Sequence, residues 1–156
     1  MKLEFKPKQV TKTLLGALKD RARDIIERRY GLLNGGTEQM TLEAIGQIYG
    51  ITRERVRQIE NFSLETIRKS DIYKKSAPIF QDLEDRMVEF GGLVKEEDFL
   101  DAVSKDKSIQ NHVNFLLILG DGFVRIKEDD HFHHRWTTDT DHADKVHTAL
   151  HNLYKN

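Results

Sequence analysis

The chain has 156 residues, enough for one ordinary domain or two small ones, with a hydrophobic share of 38% and a charged share of 33%. It contains no apolar run of about 18 residues that could span a membrane, no apolar signal core behind Met1-Lys2-Leu3-Glu4-Phe5, and no cysteine. That excludes disulfides and thiolate metal sites and points to a reducing cytoplasm. The formal net charge of -1 hides an asymmetry. Residues 1–78 carry 16 Lys+Arg against 10 Asp+Glu, and residues 79–156 carry 9 against 16. A basic half suits a polyanionic partner, whereas an acidic half resists lying on one.

Residues 1–12 are polar and basic around Pro7 and read as a loose arm. From Thr13 to Tyr30 the pattern is helical, with Ala22, Ile25, Ile26 and Tyr30 at spacings of three and four. Gly31 ends that helix and Asn34-Gly35-Gly36 breaks the chain. Thr41 is an N-cap for a short helix whose inner face is Leu42, Ile45 and Ile48. Gly50 supplies the tight turn, and Thr52 caps a longer helix to about Lys69. Ser70 to Pro78 reads as a linker. An amphipathic helix over 79–90 ends at Gly91-Gly92, and two more helices follow at 96–103 and 108–119. Phe123 to Ile126 and His133 to Thr137 alternate as the strands of a hairpin around Glu128-Asp129-Asp130, and a last helix runs from about Asp141 to Tyr154. The expectation is a mainly α chain. A helix-turn-helix domain (1–70) and a linker (71–78) precede a small winged-helix domain with one β-hairpin (79–138) and a C-terminal helix (139–156).

The helix after Thr52 carries the chemistry. At about 100° per residue, Val56, Ile59, Ser63 and Ile67 fall on one side, and Arg53, Glu54, Arg57, Gln58 and Asn61 on the other. Arg is bidentate to guanine, Gln or Asn to adenine, and Glu accepts from cytosine N4. These residues sit at the N-terminal end, which in a helix-turn-helix enters the major groove. Thr52 and the free N–H groups of the first turn suit a phosphate. The competing reading of the same face is a solvated surface of i,i+4 pairs in a small bundle.

The segment Thr41-Leu42-Glu43-Ala44-Ile45-Gly46, followed by Tyr49-Gly50-Ile51-Thr52-Arg53-Glu54-Arg55-Val56-Arg57-Gln58-Ile59-Glu60, resembles the fourth conserved region of primary-type bacterial sigma factors. Ile25-Ile26-Glu27-Arg28-Arg29-Tyr30-Gly31-Leu32 resembles that region's first half, and the likeness covers about residues 14–69. The resemblance implies a DNA-binding transcription regulator whose partners are double-stranded promoter DNA and RNA polymerase. It implies base reading of a minus-35 element by Arg53, Glu54 and Gln58. It implies DNA-backbone contacts by Arg21, Arg29, Thr41, Leu42, Arg55 and Arg57, beside the phosphate contact read above for Thr52. It also implies a hydrophobic cup for the polymerase β flap, lined by Ile25, Ile26, Tyr30 and Leu32, although the same four residues suit plain core.

After Glu60 the family pattern is Lys/Arg-rich, whereas this chain reads Asn61-Phe62-Ser63-Leu64-Glu65-Thr66, which removes positive charge. Nothing in the chain resembles the sigma regions that grip the polymerase clamp and melt the minus-10 element, so it is not expected to initiate transcription alone. Residues 79–138 more weakly resemble the winged-helix domain of the polymerase δ subunit and HARE-type proteins, which implies partner contact. The acidic hairpin tip favours a protein over DNA. A polymerase-binding protein that occupies the β flap and reads no DNA is the rival function.

No Gly-rich phosphate loop, cysteine nucleophile or nucleophile elbow is present, so no enzyme, cofactor or small-molecule substrate is expected. His131, His133 and His134, and His147 and His151 at i,i+4, have ligand-like spacing but no third ligand in view, so no metal is expected. Trp136 is read as the core residue that closes the hairpin.

Overall fold

A computed structural model describes residues 2–126 and 135–138. The chain order is α1 (Pro7–Leu15), α2 (Asp20–Tyr30), α3 (Leu42–Tyr49), α4 (Arg53–Arg68), α5 (Asp71–Lys75), α6 (Ala77–Glu89), β1 (Leu93–Lys95), α7 (Glu96–Val103), α8 (Lys107–Leu119), β2 (Val124–Ile126) and β3 (Arg135–Thr137). The fold is mainly helical with one small antiparallel sheet in the order β1-β3-β2.

The expected arm over 1–12 is corrected: from Pro7 onward it is helix. Proline suits the first turn of a helix, where its fixed φ is already helical and its missing N–H costs nothing. The helix holds because it has something to cover. Thr11, Leu14 and Leu15 are buried, and the Thr11 hydroxyl is satisfied by the Pro7 carbonyl at 2.9 Å. The single helix expected over Thr13–Tyr30 is two helices. The chain winds tightly from Gly16 to Leu18, each N–H bonding the carbonyl three residues back, before α2 starts.

The stretch read as a linker is largely helical as well. Ser70 caps α5 by accepting from the Tyr73 N–H at 3.2 Å, and Tyr73 packs its ring 5.0 Å from Phe80. Pro78 lies in the first turn of α6, as its chemistry requires.

The second half runs helix, strand, helix, helix, strand, strand, which is the order of a winged helix. Strand β1 adds to the hairpin that the sequence predicts: Leu93-Val94-Lys95 pairs with Thr137, Trp136 and Arg135 of β3, and β2 flanks β3 on its other side. Trp136 closes this sheet as core. It is 2% exposed, and its indole N–H donates to Glu96 Oε1 at 2.9 Å. Glu96 in turn pairs with Arg125 at 3.0 Å. The acidic loop 128–130, the histidines at 131, 133, 134, 142, 147 and 151, and the helix expected over 141–154 lie outside the described residues.

One buried cluster joins both halves of the chain. It runs from Leu14, Ile26, Tyr30 and Leu32 through Leu64 and Ile67 to Phe99, Phe115, Leu116 and Trp136. Helix α8 is its spine, with Tyr30 of α2 and Phe115 of α8 meeting at 5.2 Å between ring centroids. Buried Asn111 of α8 donates to the carbonyls of Gly31 (3.1 Å) and Thr37 (2.8 Å) and accepts from Gln39 (3.2 Å). Arg68 at the end of α4 donates to the carbonyls of Ile118 and Leu119 at 3.1 and 2.8 Å, closing the C-terminal end of α8. A smaller core of Ile25, Ile45 and Val56 holds α2, α3 and α4 together.

Candidate nucleic-acid interface

Helices α3 and α4 are each started by a threonine. Thr41 Oγ1 accepts from the Ala44 N–H, and Thr52 Oγ1 from the Arg55 N–H, both at 3.1 Å. Between them Gly50 adopts φ 66°, the left-handed conformation that ends α3 cheaply only with glycine. Gly46, unremarked in the sequence, is the tighter constraint. A Cβ there would lie 2.5 Å from the Ile51 carbonyl oxygen, which is backbone and cannot step aside. The inter-helix angle therefore depends on Gly46. Gly46→Ala should lower unfolding free energy by about 1–3 kcal/mol, as overpacking does, read by urea denaturation. An unchanged midpoint would show that α3 can back away freely.

On α4, Val56 and Ile67 are fully buried, Ser63 and Leu64 nearly so, and Ile59 half-buried. Arg53, Glu54, Arg55, Arg57, Gln58 and Asn61 are exposed on the opposite side. The two faces are those read from the spacing. Within the outer face Arg57 grips Glu54, with Nε donating to Oε2 at 3.0 Å and Nη2 to Oε1 at 2.5 Å. That hydrogen bond, with Arg53 nearby, holds the Glu54 carboxyl below its usual range, so it remains an ionised acceptor. Arg55 donates to Gln58 Oε1 at 3.3 Å. Phe62, 75% exposed, lies one turn beyond Gln58 and adds apolar surface there.

The backbone candidates divide. Thr41, Thr52 and Arg21 are exposed and Leu42 is half-buried, with the Arg21 guanidinium 5.3 Å from the centroid of the Tyr49 ring. Arg29 is engaged within the protein: it donates to Glu60 and to the Met40 carbonyl, each at 3.0 Å. The Tyr30 hydroxyl donates to the other Glu60 oxygen at 3.0 Å. Burial, and then Glu60, push the Tyr30 phenol well above its usual range. Glu60 thus ties α2 to α4. The sequence does not reveal this role, because a partner about 30 residues away leaves no periodic signal. Asp24 is a second tie, accepting from Arg28 at 2.9 Å and from the Tyr49 hydroxyl. Burial raises its pKa, but Tyr49 and Arg28 outweigh this and hold it below the usual range.

The four cup candidates are inside. Ile25 and Ile26 are 0% exposed, Leu32 5% and Tyr30 7%. Ile25 belongs to the small core, and the other three share the large cluster with Phe115.

Two capped helices crossing at a glycine turn, the second with one buried and one polar face, define a helix-turn-helix domain. Residues 14–69 match the family model described as Sigma-70, region 4, and form a domain of that family. Over 55 residues the chain is 49% identical to the RNA polymerase sigma factor SigA of Nostoc sp., covering 35% of this chain and 14% of that protein. It is equally identical over 55 residues to the SigA proteins of Microcystis aeruginosa and Synechocystis sp., again 35% of this chain, and 13% and 12% of those proteins. The match therefore spans about an eighth of these relatives' length, and the rest of this chain lies outside it.

Proposed function

We propose that this protein binds double-stranded promoter DNA, setting the first turns of α4 into the major groove to read a minus-35-like element, and acts with RNA polymerase in initiation or its regulation. One observation carries the reading: Arg53, Glu54 and Gln58 are exposed together at the N-terminal end of a helix whose opposite face is locked in core. Arg53 and Gln58 supply donors for purine edges, and ionised Glu54 supplies an acceptor for a cytosine amine. Thr41, Leu42, Thr52, Arg55, Arg57 and Arg21 line the flanks for phosphate contact, while Arg29 must first release Glu60. The relatives' identity as polymerase sigma factors supports polymerase as partner and a bacterial cytoplasm as the setting. The winged second half is assigned to protein contact, its acidity being unsuited to phosphate.

Burial of Ile25, Ile26, Tyr30 and Leu32 counts against the rival, flap-only reading. Docking on a β flap through Ile26, Tyr30 and Leu32 requires the cluster they share with α8 to open, and docking through Ile25 requires the smaller core of α2, α3 and α4 to open. The test is fluorescence anisotropy with a minus-35 consensus duplex beside a scrambled duplex at matched salt. A preference of tenfold or more, about 1.4 kcal/mol, is expected. Equal, weak and salt-sensitive binding to both would overturn the base-reading role and leave only a basic surface.

A further inference from the structure

A cavity of about 220 Å³ opens where α1, α2 and α8 meet, far in sequence from the face that would read DNA. Its floor is Leu15 and Leu32, and Lys8, Lys12, Arg23 and Ser108 stand around it. Lys8 and Lys12 are one turn apart on α1 and exposed, and among the described residues neither has an ion-pair partner. Glu27, the carboxylate of the lining, is already paired with Arg23 at 3.1 Å. The lining therefore carries an uncompensated double positive charge. His112 completes the wall: its side chain is 7% exposed, and its Nδ1 has no hydrogen-bond partner within the protein. Burial and then Lys8 lower the pKa of this imidazole, which favours its neutral form. A buried polar atom without a partner is costly, and Lys8 and Lys12 repel each other one turn apart on the exposed side of α1.

We propose that this cavity is a binding site for a small, multiply charged phosphate-type anion, held by Lys8 and Lys12 and bridging α1 and α2 to α8. The volume is below the roughly 300 Å³ at which sites for drug-sized ligands begin, which selects a compact ligand over a nucleotide with its base. Because the site joins the first and second halves of the chain, its occupant clamps α8 over the helix-turn-helix.

The probe is inorganic pyrophosphate, titrated into the full chain against sodium chloride at matched ionic strength. Ring and amide NMR signals are followed, together with the thermal midpoint. Saturable shifts at His112 and Ser108, unmoved α4 amides and a rising midpoint are expected. Lys8→Gln with Lys12→Gln, both at exposed positions, should weaken the response at least tenfold. Three results would each overturn the proposal: no saturable response, a response unaltered in the double variant, or shifts centred on Arg53 to Arg57, which would place the anion on the DNA-reading face.

Discussion

Phe115→Ala should cost about 3–5 kcal/mol of stability, the range for removing a buried aromatic side chain, and should do so in both halves at once. Phe115 is fully buried on α8 and meets Tyr30 of α2 ring to ring. Tyr30 in turn holds Glu60 of α4 through its hydroxyl. The cavity left behind therefore lies beneath the helix-turn-helix as well as within the winged half. For a chain of this length each kcal/mol lowers the thermal midpoint by roughly 2–4 °C, so a fall of about 6–20 °C is expected. Trp136, the single tryptophan, reports the second half by fluorescence. The amides of α3 and α4 report the first by NMR. In urea both transitions should move to the same lower midpoint. If only the tryptophan transition moved, the shared cluster would be a contact between two independent units, and the coupling claimed for α8 would be wrong.

The two faces of α4 were readable because an amphipathic helix repeats its apolar positions every three to four residues, and Val56, Ser63 and Ile67 keep that period. The caps were readable because Thr41 and Thr52 act on the N–H three residues along, a purely local bond. What was not readable is what lies far apart in the chain. Residues 1–12 look polar enough for an arm, and only a surface to cover, α8, turns Pro7–Leu15 into helix. Residues 71–75 look like a linker until Tyr73 meets Phe80. Strand β1 is three residues long, too short for an alternation to register, and exists because β3 pairs with it. The same limit left the cup residues ambiguous. A hydrophobic face at helical spacing does not say whether a partner or the chain's own later helix covers it, and here α8 covers three of the four.

Substitutions on the outer face of α4 should separate base reading from charge. Arg53→Ala and Glu54→Ala are each expected to remove about 1–3 kcal/mol of discrimination at one base pair, roughly 5- to 150-fold in relative affinity. Binding to scrambled duplex should change far less. Glu54→Ala should leave non-specific affinity unchanged or slightly higher, since it removes a negative charge from a surface that must approach phosphates. Arg55→Ala should weaken both duplexes alike and reduce the slope of log affinity against log salt by about one, the signature of one lost phosphate contact. Arg57 differs from Arg55 because its guanidinium holds both oxygens of Glu54. Its removal frees that carboxylate to rotate, so Arg57→Ala should blunt discrimination as well as the salt slope. Combined with Glu54→Ala it should then cost less discrimination than the two single losses together. Anisotropy over a salt series, on consensus and singly altered duplexes, measures all of these. If the two losses simply add, Arg57 serves phosphate alone. If Arg53→Ala and Glu54→Ala lower both duplexes equally, α4 does not read bases.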